Sequence, residues 1–193
     1  MIRRLFLFKG GNSLSKFALK DAVPNITLPA VNGEEYSFES YRKEKGGWHL
    51  VIFFRVSWCP VCVSNLENLE KSTGFFEGKN VHSTTISTDK FEDLKAMTEE
   101  MNLSFPVLSD EELKALKAYD VHYHREDDPY EDHGAHGEPA YFLIDEKGEL
   151  LYQQRQTSPF GLQQLQSYVK LFSISVAHIK VNKKQANSSC FFS

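Results

Sequence analysis

The chain has 193 residues, of which 41% are hydrophobic and 25% charged, and a formal net charge of −4. That length suits one domain able to bury about 70% of its unfolded surface, and the acidic balance argues against nucleic acid or an anionic membrane, which select a basic face. Three cysteines are too few for a disulfide-stapled secreted scaffold, so a reducing, cytoplasmic compartment is expected.

The amino terminus carries only four consecutive apolar residues, Leu5 to Phe8, before Lys9 and two glycines. A secretory signal needs an apolar core of about 7–15 residues, and no run approaches the roughly 18 needed to span a membrane. Residues 1–19 are expected to be an extension. Lys9-Gly10-Gly11 reads as a translated ribosome-binding site with Leu14 as the start, which would make residues 1–13 non-native. The domain is expected over residues 20–172, followed by a loose tail, 173–193.

Ala22 to Pro29 alternates as a short strand, Asn32-Gly33 is a hairpin turn signal, and Tyr36-Ser37-Phe38 is the return strand. A short charged stretch, Ser40 to Lys45, and two glycines precede an apolar run from Trp48 through Leu50-Val51-Ile52-Phe53-Phe54. Such a run fits a strand covered on both faces. Ser64 to Lys71 has Leu66 and Leu69 at helical spacing, and Phe75 to Asn80 reads as a loop. Val81 to Ser87 is β-branched and predicts a strand. Thr88 or Asp89 is expected to cap a helix over Phe91 to Met101. Phe105-Pro106-Val107-Leu108 is a short strand, and Ser109 with Glu112 resembles a capping box opening another helix. A polar stretch, His122 to Glu138, separates it from a strand, Ala140 to Ile144, and a hairpin return, Leu150 to Tyr152. Leu162 to Phe172 suggests a closing helix. The order predicts an α/β fold: a mixed central sheet with helices on both faces and an extra N-terminal β-hairpin.

Trp58-Cys59-Pro60-Val61-Cys62 lies where the apolar strand gives way to a helix. Cysteines three apart at a helix start are close enough to bridge. The positive helix end stabilises a thiolate, and Pro60 is pre-set for the first turn. The competing readings are a zinc half-site, a structural disulfide and two inert thiols. Zinc needs about four ligands, and no second CxxC is present. The strand-loop-helix setting favours a redox dithiol.

With that motif, Phe53-Phe54-Arg55, Phe105-Pro106-Val107-Leu108-Ser109-Asp110 and Pro139-Ala140-Tyr141-Phe142-Leu143-Ile144-Asp145 with Gly148, the chain resembles the thioredoxin fold. More narrowly it looks like the peroxiredoxin-like branch of the alkyl hydroperoxide reductase/thiol-specific antioxidant (redoxin) family, over about residues 20–160. The resemblance implies an oxidoreductase and two versions of its chemistry. As in thioredoxins, Cys59 would attack and Cys62 resolve. As in peroxiredoxins, Cys62 would be the peroxide-attacking cysteine. Cys59 stands where peroxiredoxins place a threonine, and Pro139 where they usually place an arginine. Both departures favour thiol–disulfide exchange through a mixed disulfide, with a hydroperoxide-reducing thiol peroxidase as the alternative and a redox-inactive binding module as a third reading. Pro139 is expected in a cis bond exposing backbone to a substrate strand, Arg55 near the thiolate, and Trp58 packed over the pair. The expected partners are a disulfide or peroxide substrate and an external dithiol reductant, such as thioredoxin or a low-molecular-weight thiol.

No cofactor or metal is expected. His122, His124, His133 and His136 lie in an acidic stretch but match no common ligand spacing, and the segment reads as a loop bordering the site. Cys190 reads as a bystander thiol on the tail.

Overall fold

The computed structural model describes residues 17–124 and 136–157. The expected closing helix, Cys190, His133, the segment before residue 17 and the tail lie outside the described residues. Five strands form the central sheet: β3 (Trp48–Phe53), β4 (Val81–Ser87), β5 (Val107–Ser109), β8 (Ala140–Ile144) and β9 (Leu150–Arg155). Their order is β5-β4-β3-β8-β9. The β3–β4 and β4–β5 pairs are parallel, and β8 joins β3 and β9 antiparallel. Two small ribbons complete the strands: β1 (Thr27–Pro29) with β2 (Glu35–Ser37), and β6 (Tyr123–His124) with β7 (His136–Gly137).

Helices cover both faces, as expected from an apolar central strand. Leu50 and Ile52 of β3 face one core with Leu66 and Leu69 of α2 (Pro60–Glu77) and Leu94 and Met97 of α3 (Phe91–Met101). Val51 and Phe53 face the other, with Phe38 of α1 (Phe38–Lys45) and Ala115 and Leu116 of α4 (Lys114–Ala118). Phe17 lies before the expected start of the domain, yet it is buried in this second core against Tyr119 and Phe142. The family-independent reason is area: an aromatic ring is among the largest apolar surfaces a chain can withdraw from water.

Local structure departs from the sequence expectation at several points. Phe38 opens α1 rather than ending a strand, because its ring points into the core while Glu39, Ser40 and Lys43 to Lys45 face water and Tyr41 packs at the core's edge. Helix α2 runs on to Glu77, since Phe76 is a further buried residue on the Cys62, Leu66 and Leu69 side. No capping box forms at Ser109. Asp110 is buried and its carboxylate accepts the N–H groups of Lys114, Ala115 and Leu116, whereas Glu112 pairs with Lys114 in solvent. Lys90, not Thr88 or Asp89, is the N-cap of α3, and the Glu111 carboxylate accepts the Phe91 N–H.

Candidate active site

The motif sits where β3 ends against the start of α2. Cys59 is the N-cap residue in an extended conformation (φ −78°, ψ 115°), Pro60 is the first helical residue, and Cys62 lies one turn in. Proline costs nothing at this position, because its missing N–H would have had no intrahelical acceptor. Both cysteines are free thiols. Their accessibilities differ little, 9% for Cys59 and 2% for Cys62. Water meets the pair at Cys59, and Cys62 lies behind it.

Cys62 is surrounded by opposing influences. Burial first, and then the neighbouring Cys59, push its pKa up to about 12, against hydrogen bonds from the backbone N–H groups of Arg55 and Val56. The Cys59 and Cys62 side chains also hydrogen-bond to each other. Two N–H donors converging on one sulfur make a pre-built anion site, while desolvation keeps the resting group protonated.

The remaining expected site residues fall in different places. Arg55 reaches the site through its main chain. Its guanidinium turns to the other side of the sheet, with Nε 3.7 Å from Glu138 Oε1. Trp58, expected over the pair, is 52% exposed. Pro139 does border Cys62, in a narrow apolar crevice of about 10 Å³ shared with Asn65, Leu66, Leu69 and Tyr141. The Glu138–Pro139 bond, however, is trans. The backbone on either side of that proline is already engaged: the Glu138 N–H donates to His122 O and Pro139 O accepts from the Gln156 N–H. The expected cis bond with free backbone groups is therefore corrected. A trans proline suits this place, just before the first residue of β8.

Residues not singled out in the sequence complete the site. Tyr141 alternates onto the Cys62 face of β8, and burial, followed by the proximity of Cys62, raises its hydroxyl's pKa so that it stays a neutral donor. Asp89 anchors the loop that presents the two N–H donors, as described below. In the sequence Asp89 reads as a helix cap and Tyr141 as one residue of an apolar strand. Both are visible only once β3, β4 and β8 are aligned side by side.

The AhpC/TSA family model matches residues 19–153. A curated relative from Mycobacterium tuberculosis H37Rv, "Putative peroxiredoxin Rv2521", is 26% identical over 153 residues, covering 73% of this chain and 87% of the relative. Among solved structures, peroxidoxin BcpB of Mycobacterium tuberculosis superposes with a TM-score of 0.62 at 18% identity, covering 71% of this chain and 84% of the other. A cysteine-to-serine mutant of Xylella fastidiosa PrxQ gives 0.70 at 17% identity, covering 86% and 99%. These structural likenesses establish the thioredoxin-like fold. By the match of its sequence along most of the domain, the chain belongs to the AhpC/TSA family and is an oxidoreductase of that family.

Proposed function

We propose that the chain is a thiol-dependent peroxidase in which Cys62 attacks the hydroperoxide and Cys59 resolves the product. This reverses the order suggested by the motif alone, and the observation that carries it is the pair of Arg55 and Val56 N–H groups directed at the Cys62 sulfur. Those donors stabilise negative charge on Cys62 as the thiol gives up its proton and attacks. The sulfur attacks the terminal peroxide oxygen, the O–O bond breaks, and an alcohol (or water) leaves with one proton. Cys62 becomes a sulfenic acid. Cys59 then displaces its hydroxyl, forming the Cys59–Cys62 disulfide and releasing water. The pair has supplied two electrons and two protons, and an external dithiol returns them.

The resting site must open for this. A crevice of about 10 Å³ holds at best one water, which itself needs roughly 10–15 Å³. Loosening the first turn of α2 would hydrate Cys62 and remove the largest influence raising its pKa, while the N–H donors on the preceding loop stay in place. The peroxiredoxin names of the relatives support this reading.

A second reading is thiol–disulfide exchange led by Cys59, favoured by that residue's position on the solvent side of the pair. The two differ in their variants. Hydroperoxide consumption with a thioredoxin-type reductant should vanish in Cys62→Ser, while Cys59→Ser should still complete one stoichiometric turnover. If Cys62→Ser still consumes peroxide, the peroxidase reading fails. If Cys62→Ser instead traps substrate proteins as mixed disulfides through Cys59, exchange is the activity.

A further inference from the structure

On the face of the sheet opposite α2, the ends of β6 and β7 bring together side chains that lie far apart in sequence. His124 and His136 are a cross-strand pair in an antiparallel ribbon. Glu138 follows His136 by two residues, so strand alternation returns it to the same side. The three groups' donor atoms lie within 4.8 Å of one another. His124 Nε2 is 2.7 Å from Glu138 Oε1, and the His124 and His136 ring centroids are 5.4 Å apart. A histidine on β7 and a glutamate just past that strand's end, with a second histidine opposite on β6, present two imidazoles and a carboxylate to one point.

We propose that His124, His136 and Glu138 bind one divalent first-row transition ion such as Zn2+. Mixed imidazole and carboxylate donors suit these borderline ions better than calcium or magnesium, which prefer all-oxygen shells. With bonds of about 2.0–2.2 Å, two donors on one ion lie at most about 4.2 Å apart. An edge at the 4.8 Å limit must therefore close by at least about 0.6 Å, and by about 1.4 Å around a tetrahedral ion, when the ion binds. The three ligands occupy one side, leaving the remaining positions for water or an exogenous ligand.

The competing explanation is a buried ion-pair network among Arg55, Glu138 and His124. A network built for that purpose would satisfy its buried atoms. Here the Glu138 side chain is 0% exposed, and among the described residues its Oε2 has no hydrogen-bond partner, nor does Arg55 Nε. An ion supplies the carboxylate with the partner it lacks. Arg55 opposes a second cation nearby, so the two imidazoles and the carboxylate must outweigh it. No local ligand spacing in the sequence marks this site, which runs contrary to the expectation of no metal. The cross-strand pairing supplies the third ligand that spacing cannot show.

The test uses the full chain without a histidine tag, in the Cys59→Ser/Cys62→Ser form so that the thiols cannot contribute. Titration with Co2+ should give one equivalent bound with ligand-field bands in the visible, which Zn2+ then abolishes by displacing it. X-ray absorption of the zinc form should show two imidazoles and oxygen donors without sulfur. His124→Asn, His136→Asn and Glu138→Gln should each weaken binding by more than about 100-fold, the upper end of losses seen for mere outer-shell changes. His124 sits at the partly open edge, with its side chain 12% exposed, so its variant should fold even if the Glu138 variant does not. Absence of stoichiometric binding by the folded chain, a shell lacking two imidazoles, or unchanged affinity in His124→Asn overturns the proposal.

Discussion

The Asp89 carboxylate accepts both the backbone N–H and the hydroxyl of Ser57, each at 2.6 Å. Asp89 lies two residues past β4, and Ser57 lies in the loop between Arg55 and Cys59. Ser87 adds a second tie, donating its hydroxyl to Arg55 O. This clamp fixes the loop whose Arg55 and Val56 N–H groups face Cys62. Asp89→Ala leaves two polar groups of Ser57 without that acceptor and should cost about 1–3 kcal/mol. It should also slow Cys62-dependent peroxide consumption several-fold. Denaturant unfolding and single-turnover kinetics check the two effects. Ser57→Ala removes only one of the two bonds and should do less of both.

Asp110 does for α4 what a capping side chain does for a longer helix. The carboxylate is buried, and burial raises its pKa against the opposing pull of its hydrogen bonds to Leu116, Ala115 and Lys114 N–H. Asp110→Ala leaves three N–H groups unpaired at a buried helix start and should cost about 1–3 kcal/mol. Asp110→Asn keeps an acceptor oxygen and should cost less, as measured by urea unfolding at neutral pH.

His49 is a pH sensor for stability. It is fully buried in β3, between the rings of Phe38 and Tyr41, with Nε2 3.0 Å from Gly46 O. Burial first, and the nearby His82 next, lower its pKa from 6.5 to about 4. The folded state therefore prefers the neutral ring. Its contribution is full above pH 6.5 and is lost as pH falls through 4, amounting to about 3 kcal/mol at most. Unfolding free energy should decline across that window. His49→Leu should flatten the decline, and an equally steep slope in that variant would refute the assignment.

Trp58 and Leu69 lie close in sequence but differ in what the fold asks of them. Trp58 is half exposed, whereas Leu69 is 0% exposed on the core side of α2. Leu69→Ala should cost about 2–5 kcal/mol through lost contacts and a cavity. Trp58→Ala should stay within about 1 kcal/mol. Thermal or denaturant unfolding of the two variants makes the comparison directly.

The framework of this fold is legible because its signals are continuous. Trp48 to Phe54 is apolar at nearly every position, Val81 to Ser87 is β-branched, and Asn32-Gly33 marks the hairpin, where Gly33 adopts φ 89°. The dithiol motif is equally plain. What escapes a linear reading is whatever depends on partners across the sheet. Asp89 looks like a helix cap until Ser57 is seen beside it. Glu112 looks like half of a capping box until Asp110 is seen to fill that role from inside. Arg55 invites pairing with a thiolate, but in the loop just past β3 its side chain turns to Glu138 instead. The proposed order of the two cysteines rests on backbone N–H groups, which carry no sequence signature at all.

The most direct test exposes the Cys59→Ser chain to one equivalent of hydrogen peroxide in the presence of a sulfenic-acid-selective dione and locates the adduct by peptide mass spectrometry. The account predicts an adduct on Cys62, and in the wild-type chain its replacement by a Cys59–Cys62 disulfide. An unmodified Cys62 after the peroxide is consumed, or a Cys62→Ser chain that accumulates the adduct on Cys59 at the same rate, would contradict it.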